Sequence, residues 1–573
     1  MASPRLAQIP AHTQQESAAK QSIPTAAAYL ILCILYFALL AWAKPNYGAD
    51  PLSYAGDAYR FAQQHSLANT RAIWEFGHLI WRPLGVLLLP LFEPLASRFH
   101  VSPQLVPLMA LITLSVLFTL AATLIVCHIT RLLSGSNSAG IIVSVLFLTS
   151  NAVLNYARSG YPYAPGLAMQ LLAVSIIVTP FRRTSKLWLR ALVAGGALAA
   201  SVCFWAPYLV TVPGIIALSF LWEEGRTRAQ RLRFSRQIAV VAFIAVVLIF
   251  GAAVALNQFR SFSDLSTWVR ESSHGWSQSH RLIRLATGLP RSLIAMGDQS
   301  LMLKRLYFHD PYAPVTLGQA LASLIWKPLL YTLAIAALVW TLTKSQPGRN
   351  LLLGAFCCWI PLIFFSVAVF EPGSLSRFLP GFALLFASLG FLATRIHWRN
   401  PTTWALALFF SMMIVVNLAW VSPSAGAAQS QNAEGRLQAL SRVWKPNSTA
   451  VLLSFNDDGI FYFEAVAPFH PLNQFHFHFL DAVEPGTLRA ARFREEFASA
   501  VRETWRRGGD VWISRRLVAA KPSPDWGWVE GDAATVPWRT LSGFYRQFQT
   551  NASIGGADGF LRIAKNQSNW QLL

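Results

Sequence analysis

Charged residues are scarce in this sequence, and acidic residues are the scarcest of them. Only 13% of the 573 residues are Asp, Glu, Lys or Arg, against about a quarter in soluble domains. This scarcity argues against a soluble fold. Hydrophobic residues make up 54% of the chain, in stretches near or above the ~18 residues that cross a bilayer, such as Leu105–Val126, Ile238–Ala255 and Thr403–Val421. The composition predicts a polytopic α-helical membrane protein.

Cysteine is also rare, and the last part of the chain has none. The five cysteines all lie in apolar segments: Cys33, Cys127, Cys203, Cys357 and Cys358. The pattern indicates neither a disulfide framework nor a CxxC metal site. The net charge of +21 is not accompanied by a nucleic-acid-binding motif. In a membrane protein, cytoplasmic loops and lipid headgroup contacts account for such an excess, so nucleic-acid binding is not predicted.

The amino-terminal segment sets the predicted orientation of the chain. Arg5 and Lys20 precede the first apolar stretch at 26–43, and no convincing cleavage site follows. With these charges in the cytosol, the first helix runs outward and segment 44–103 is extracytoplasmic. Within it, Leu84–Ala96 is interrupted by two prolines and a glutamate and is too short for a ~30 Å core. We therefore predict an interfacial or re-entrant helix there.

The positive-inside rule supports this orientation, because the loops that it places in the cytosol hold most of the basic residues. These loops are His128–Asn137, Phe181–Leu187, Glu223–Gln237, Thr343–Asn350 and Arg395–Pro401. About 11 transmembrane helices are predicted, at roughly 26–43, 104–127, 139–156, 164–180, 188–205, 207–222, 237–256, 320–342, 351–370, 378–394 and 402–421. An odd number puts the carboxyl terminus outside the inner (cytoplasmic) membrane.

Three parts follow from this topology: a cytosolic tail at 1–25, a transmembrane domain at 26–421 with outside loops at 44–103 and 257–319, and a tail domain at 422–573. Ser422–Gln431 is small and polar, as a linker is. Strands are predicted at Thr449–Ser454, Asp510–Ser514 and near Gly559–Ala564, with a helix at Leu488–Arg506. These elements predict an extracytoplasmic soluble α/β domain.

The first outside loop holds carboxylates among aromatic and basic residues. The residues that could act there are Asp50, Asp57, Glu75, His78 and Arg82. Asp57 is predicted to lie at the start of a surface helix, where negative charge is favourable. A helix cap with interfacial aromatic residues therefore explains the pattern as well as a functional site does.

Two other outside segments could meet this loop. In NYARSGYPYAP, prolines predict a structured turn that presents Arg158, Tyr161 and Tyr163. In FEPGSLSRFLP, Glu371 and Arg377 end adjacent helices. The alternatives are an interfacial aromatic belt with one arginine, and an interfacial salt bridge. The second long loop adds His274, His280, Arg281, Arg284, Lys304, Arg305, His309 and Asp310.

Over about residues 26–421, this plan resembles the GT-C superfamily of membrane glycosyltransferases. The resemblance is to bacterial members related to protein mannosyltransferases, lipid A aminoarabinose transferases and Rgt-type transferases. The segments that carry it are GHLIWRPLG, RSGYPYAPG and SRFLPGFALLFASLG. Many relatives have an adjacent acidic pair in the first loop, whereas Gly56-Asp57-Ala58 offers one carboxylate.

The resemblance implies transfer of a sugar from a polyprenyl-phosphate-linked donor to a glycan, lipid or protein acceptor. Asp57 would be the catalytic base. Arg82, Arg158 and Arg377 would hold the lipid phosphate, and Tyr161 and Trp81 would stack on sugar rings. No cofactor is certain; a divalent metal, Mg or Mn, is possible, but the ligand set is too thin to predict one. The remaining substrate-binding candidates are Asp50, Glu75, His78, Tyr163 and Glu371.

Two alternatives stay open at this point. Another lipid-linked transferase or a glycan polymerase would share the donor class and differ in its acceptor. A transporter is the third interpretation. The predicted membrane centre has almost no acidic residues, and neither an inverted repeat nor paired broken helices is evident. These features argue against transport.

Overall fold

A computed structural model describes residues 24–43, 49–99, 103–180, 187–222, 226–271, 314–324, 375–393, 401–420, 438–452, 488–521, 542–556 and 559–573, with a few short pieces between them. Arg5 and Lys20 lie outside these residues, as do the predicted helices at 320–342 and 351–370 over most of their length. The eleven-span topology and the domain boundaries stay predictions.

The described helices are numbered in chain order. In the first 180 residues they are α1 Thr25–Ala43, α2 Ala49–Gln63, α3 Leu67–Ile73, α4 Trp81–Leu87, α5 Leu89–Arg98, α6 Val106–Ser134, α7 Asn137–Leu148, α8 Asn151–Tyr156 and α9 Tyr163–Val178. Further on they are α10 Leu187–Phe204, α11 Val212–Leu221, α12 Arg228–Leu256, α13 Phe262–Glu271, α14 Leu317–Leu324, α15 Phe382–Ala393, α16 Pro401–Trp420, α17 Leu488–Arg506 and α18 Gln567–Leu572.

Four helical segments in the described part of the chain are long and apolar enough to cross a membrane: Thr25–Ala43, Pro103–Ser134, Leu187–Phe204 and Arg228–Leu256. Five shorter apolar helices accompany them. Large apolar side chains are exposed along the outer surfaces of these helices, including Leu30, Ile34, Phe243, Leu248 and Leu408. Apolar surface on this scale is stable against lipid and costly against water. The chain is a membrane protein.

The buried centre of the helical body is formed by α6, α7, α9, α10, α12 and α15. Helices α10 and α12 are in close contact at Gly195. A Cβ atom there would lie 2.7 Å from Val241 and 2.8 Å from the carbonyl oxygen of Ile238. Glycine thus allows a backbone contact that any other residue would separate.

The segment Leu84–Ala96 is divided between α4 and α5. These helices have 7 and 10 residues, and at ~1.5 Å per residue neither reaches across a ~30 Å core. Leu89 and Ala96 of α5 pack on Val106 at the start of α6. Two short helices thus lie against the end of a long helix.

The start of the second predicted outside loop packs on the first. Asn257 Nδ2 donates a hydrogen bond to the Trp74 carbonyl oxygen at 3.3 Å, and Trp268 Nε1 donates to the same oxygen at 2.8 Å. Trp268 is buried with Leu79, Cys203 and Ala253. These two regions therefore lie side by side at one end of the helical body.

In the residues of the tail that the structure describes, four strands form one sheet. Its strands are β1 Thr449–Val451, β2 Val511–Ser514, β3 Thr550–Ile554 and β4 Phe560–Ile563, in the order β1-β2-β4-β3. The first pair is parallel and the other two are antiparallel. One face packs on α17. The other face packs on residues of α2 and α6.

Candidate active site

Helix α2 begins at Ala49, about two turns before Asp57. The prediction that Asp57 starts a helix is therefore wrong. Asp50 occupies the first turn instead, where a negative charge is favourable. Asp57 lies inside the helix, and only 8% of its surface is exposed. A helix-capping role does not explain its position.

Arg82 joins two buried carboxylates. Its Nη1 donates to Asp57 Oδ2 at 2.7 Å, and its Nη2 donates to Glu75 Oε2 at 2.5 Å. Nη1 also reaches the Ala72 carbonyl oxygen at 2.5 Å. On the other side, Arg60 Nη2 donates to Asp57 Oδ1 at 2.5 Å. We name Asp57, Glu75 and Arg82 the carboxylate cluster.

The charges within the carboxylate cluster support one another. Burial by itself would lower the pKa of Arg82, but Glu75 and Asp57 together raise it above its usual value. Arg82 is therefore a permanent cation. A second carboxylate, Glu75, lies on the other side of Arg82 from Asp57. Sequence proximity could not show this pair, because the two carboxylates come from different elements.

Aromatic side chains extend away from the carboxylate cluster. The Arg82 guanidinium lies 4.8 Å from the centre of the Tyr54 ring. Tyr54 is 5.2 Å from His78 and 6.4 Å from Tyr161, measured between ring centres. Tyr161 stacks on Tyr163 at 4.9 Å and 14°. Burial and the nearby Asp50 raise the pKa of Tyr54 well above 10, so Tyr54 stays neutral.

Arg377 lies at the far end of this aromatic row. Its guanidinium is 5.1 Å from the centre of the Trp205 ring, which is 4.6 Å from Tyr163. Arg377 and Asp50 both act electrostatically on the Tyr163 hydroxyl. Continuous contacts thus connect the predicted residues Asp57, Tyr163 and Arg377.

The turn after α8 is held in one conformation. Gly160 has a φ of +79°, which favours glycine, and its carbonyl oxygen accepts a hydrogen bond from Trp81 Nε1 at 2.9 Å. Ser115 Oγ donates to the Tyr161 carbonyl oxygen at 2.9 Å. Arg158 is buried in this turn, and burial lowers its pKa to about 10. It remains charged at neutral pH.

Trp81 is fully buried between Phe204, Tyr54 and Leu111. The predicted stacking of Trp81 on a sugar ring is therefore wrong, because no face of its ring is open. Tyr161, by contrast, is only partly buried.

The residues around Asp57 do not fit a divalent metal in this geometry. Both oxygens of Asp57 accept bonds from arginines, and Arg82 stands between the two carboxylates. The described part of the chain contains no group of three or more His, Cys, Asp or Glu side chains that could hold a metal ion.

Several predicted residues lie outside the described residues. They are Glu371 and most charged residues of the second long loop: His274, His280, Arg281, Arg284, Lys304 and Asp310. Their roles stay predictions. Trp205, which links Tyr163 to Arg377, was not predicted from the sequence. Its signal was the segment FWAPY, an aromatic and proline pattern like YPYAP at another helix end.

No family model and no curated protein matches this sequence. Among solved structures, the chain is similar to ArnT from Cupriavidus metallidurans bound to undecaprenyl phosphate, with a TM-score of 0.53 and 10% identity over 97% of this chain and 99% of that chain. It is also similar to the oligosaccharyltransferase AglB from Archaeoglobus fulgidus, in complex with an inhibitory peptide and a dolichol-phosphate, with a TM-score of 0.47 and 15% identity over 95% and 74% of the two chains. Identity this low establishes the fold alone. The chain has the GT-C fold of membrane glycosyltransferases.

Proposed function

We propose that this chain transfers a sugar from a polyprenyl-phosphate-linked donor to an extracytoplasmic acceptor by one inverting displacement. The observation that carries the proposal is the buried carboxylate cluster, connected through aromatic rings to Arg377. The fold is shared with ArnT, whose structure contains undecaprenyl phosphate. A lipid phosphate as the leaving group agrees with the arginine at the end of this aromatic row and with the lipid in the ArnT structure.

In this proposal, an acceptor hydroxyl attacks the anomeric carbon and Asp57 takes its proton. The new carbon–oxygen bond forms as the bond to the lipid phosphate breaks, and the phosphate leaves with the bonding electrons. The configuration inverts because there is one displacement and no covalent enzyme intermediate.

The two oxygens of Asp57 have different roles in this scheme. Oδ2 is bound to Arg82, whose side chain is only 9% exposed. Oδ1 is bound to Arg60, whose side chain is 53% exposed and free to move into water. We assign Oδ1 to the acceptor hydroxyl and Arg82, with Glu75, to holding Asp57 in place.

The departing phosphate needs fixed positive charge. Both ends of the Arg82 guanidinium already bind carboxylates, so we assign the phosphate to Arg377 and Arg158. Because burial disfavours the charged form of Arg158, an anion beside it would offset part of that cost. Tyr161 is the aromatic face that we assign to the sugar ring, with Asp50 as an acceptor of hydrogen bonds from sugar hydroxyls.

The test measures release of undecaprenyl phosphate by the purified protein from a panel of undecaprenyl-phosphate-linked hexoses and pentoses. Asp57→Asn removes the base and is expected to lower the rate by about 100-fold or more. Asp510→Asn is the matched control, since Asp510 is also a buried, ion-paired aspartate but lies in the tail. Full activity of a folded Asp57→Asn protein rules out the assigned base. No release from any donor by the wild-type protein, with or without acceptor extracts, contradicts the proposed function.

A further inference from the structure

Helix α2 lies between the carboxylate cluster and the sheet of the tail. At ~3.6 residues per turn, Asp50, Tyr54 and Asp57 fall on one side of α2, and Leu52 and Ala55 fall on the opposite side. Tyr54 is buried with Trp81 and Leu111 at the site. Leu52 and Ala55 are buried in a different cluster, together with residues of the tail. One side of α2 thus packs at the site, and the opposite side packs on the tail.

The tail contributes the apolar face of its sheet to this contact. Ala450 of β1, Trp512 of β2 and Phe560 of β4 share a buried cluster with Leu52 and Ala55. Their exposed fractions are 2%, 2% and 0%. In β2, the flanking residues Val511 and Ile513 belong to the other face, which packs on α17. This alternation is the two-residue period of a strand buried on both faces.

We infer that the tail is a positioning element for the site, and that Trp512 holds α2, and through it Asp57, in the geometry for proton transfer. The inference rests on the proposed function of Asp57. Its physical basis is that α2 has 15 residues, and a single helix of this length is marginal without packing. A displacement of ~1 Å at a reacting group is enough to lower a rate by about 100-fold.

Two tryptophans of the tail provide a matched pair of variants. Trp512 shares a buried cluster with Leu52 and Ala55 of α2, whereas Trp505 lies in the cluster on the α17 face, with its ring centre 5.1 Å from that of Trp570. Each is replaced by leucine in the full-length protein. Both variants are expected to lose thermal stability, because each creates a cavity. Only Trp512→Leu is expected to change α2.

The readout is hydrogen exchange in the peptide that covers 49–63, together with kcat and KM. We expect Trp512→Leu to raise exchange in this peptide about 10-fold and to lower kcat about 10- to 100-fold with little change in KM. The conservative variant Trp512→Phe should keep both the hydrogen exchange of this peptide and kcat close to the wild-type values. Trp505→Leu should leave this peptide and kcat unchanged. Should Trp512→Leu fail to fold, Leu52→Ala removes a smaller apolar side chain from the same buried cluster and replaces it in the experiment.

The outcomes separate the two ideas. Equal exchange in 49–63 for the two leucine variants overturns the positioning role, even when Asp57→Asn is inactive. An active Asp57→Asn protein overturns the proposed function, whatever the exchange shows. Loss of kcat in both leucine variants in equal measure shows a general effect of stability and also contradicts the positioning role.

Discussion

The predicted first outside loop and the tail each contain a buried aspartate surrounded by cations, but the two surroundings differ. Asp57 is 8% exposed and Asp510 is 5% exposed. Arg82, the partner of Asp57, is itself buried, with 9% of its side chain exposed, and it also binds the carboxylate of Glu75. Asp510 faces three cations at 3.0, 3.5 and 3.8 Å whose side chains are 56%, 31% and 39% exposed: Lys445, Arg562 and Lys565.

The two buried aspartates therefore differ in their partners, because Asp57 binds a buried cation whereas Asp510 binds cations that are exposed to water. Water screens the cations around Asp510, so each contact is worth little. Burial of Arg82 with two carboxylates costs desolvation energy that simple stability does not require. Perturbed, buried charges of this kind are enriched at functional sites. The comparison therefore favours Asp57 over Asp510 as the reacting carboxylate.

The largest expected effect concerns sidedness, because the proposal needs both aspartates on the extracytoplasmic side. A cysteine at Arg442, an exposed position just before β1, should react with an impermeant thiol reagent in intact cells. Arg228→Cys, exposed at the start of α12 in a predicted cytosolic loop, should react only after lysis.

The parent protein serves as the background control for labelling, since its native cysteines lie in apolar segments. Labelling of Arg442→Cys only in lysed cells would contradict the predicted threading and the shared side of the two aspartates.

The next largest effect is expected at Arg82. Arg82→Gln leaves Asp57 and Glu75 buried without their shared cation, so the free energy of unfolding should fall by about 3–5 kcal/mol. Lys445→Gln, which removes the partner of Asp510 at 3.0 Å, should cost no more than about 1 kcal/mol because Lys445 is half exposed. Both values come from thermal or denaturant unfolding in detergent. Equal losses would remove the distinction between the two aspartates.

Much of the helical body was predictable from the sequence, because lipid imposes long apolar helices. The predicted spans at 26–43, 188–205 and 402–421 correspond to α1, α10 and α16 within one residue at every end. The predicted span at 139–156 is divided into α7 and α8. Ser150, which precedes α8, donates its hydroxyl to the Phe147 carbonyl oxygen at 2.7 Å. Such a local bond competes with the helix and leaves no trace in hydropathy.

The site was less predictable, for a physical reason. The sequence showed which loops hold Asp57, Arg82 and Arg377, since the segments around them are distinctive. It could not show that Arg82 faces Asp57 and Glu75 together, or that Trp81 turns inward to Gly160. Those contacts depend on the angles between short helices of one loop, and side-chain chemistry does not determine these angles.

Arg377 allows a comparison of two arginines that lie over aromatic rings on opposite predicted sides. Arg377 is 5.1 Å from the centre of Trp205, and Arg231 is 5.8 Å from the centre of Phe220. If Arg377 binds phosphate, Arg377→Ala should weaken binding of undecaprenyl phosphate about 10-fold, from loss of a charge-assisted hydrogen bond. Arg231→Ala should leave it unchanged. Binding is measured by the shift in thermal stability with added lipid, and equal effects would make Arg377 an interfacial anchor only.

The smallest effect is expected at Arg60, the exposed partner of Asp57. Its ion pair resembles those around Asp510, so Arg60→Gln should change the free energy of unfolding by less than about 1 kcal/mol. Activity should stay within a few-fold of the wild type, because the acceptor hydroxyl has to replace Arg60 at Oδ1 in any case. Arg506→Gln, which removes an exposed partner of Glu503 in the tail, provides the control for loss of one surface arginine. A loss of activity as large as that of Asp57→Asn would show that Arg60 takes part in the reaction, and Oδ1 would then no longer be the oxygen that receives the proton.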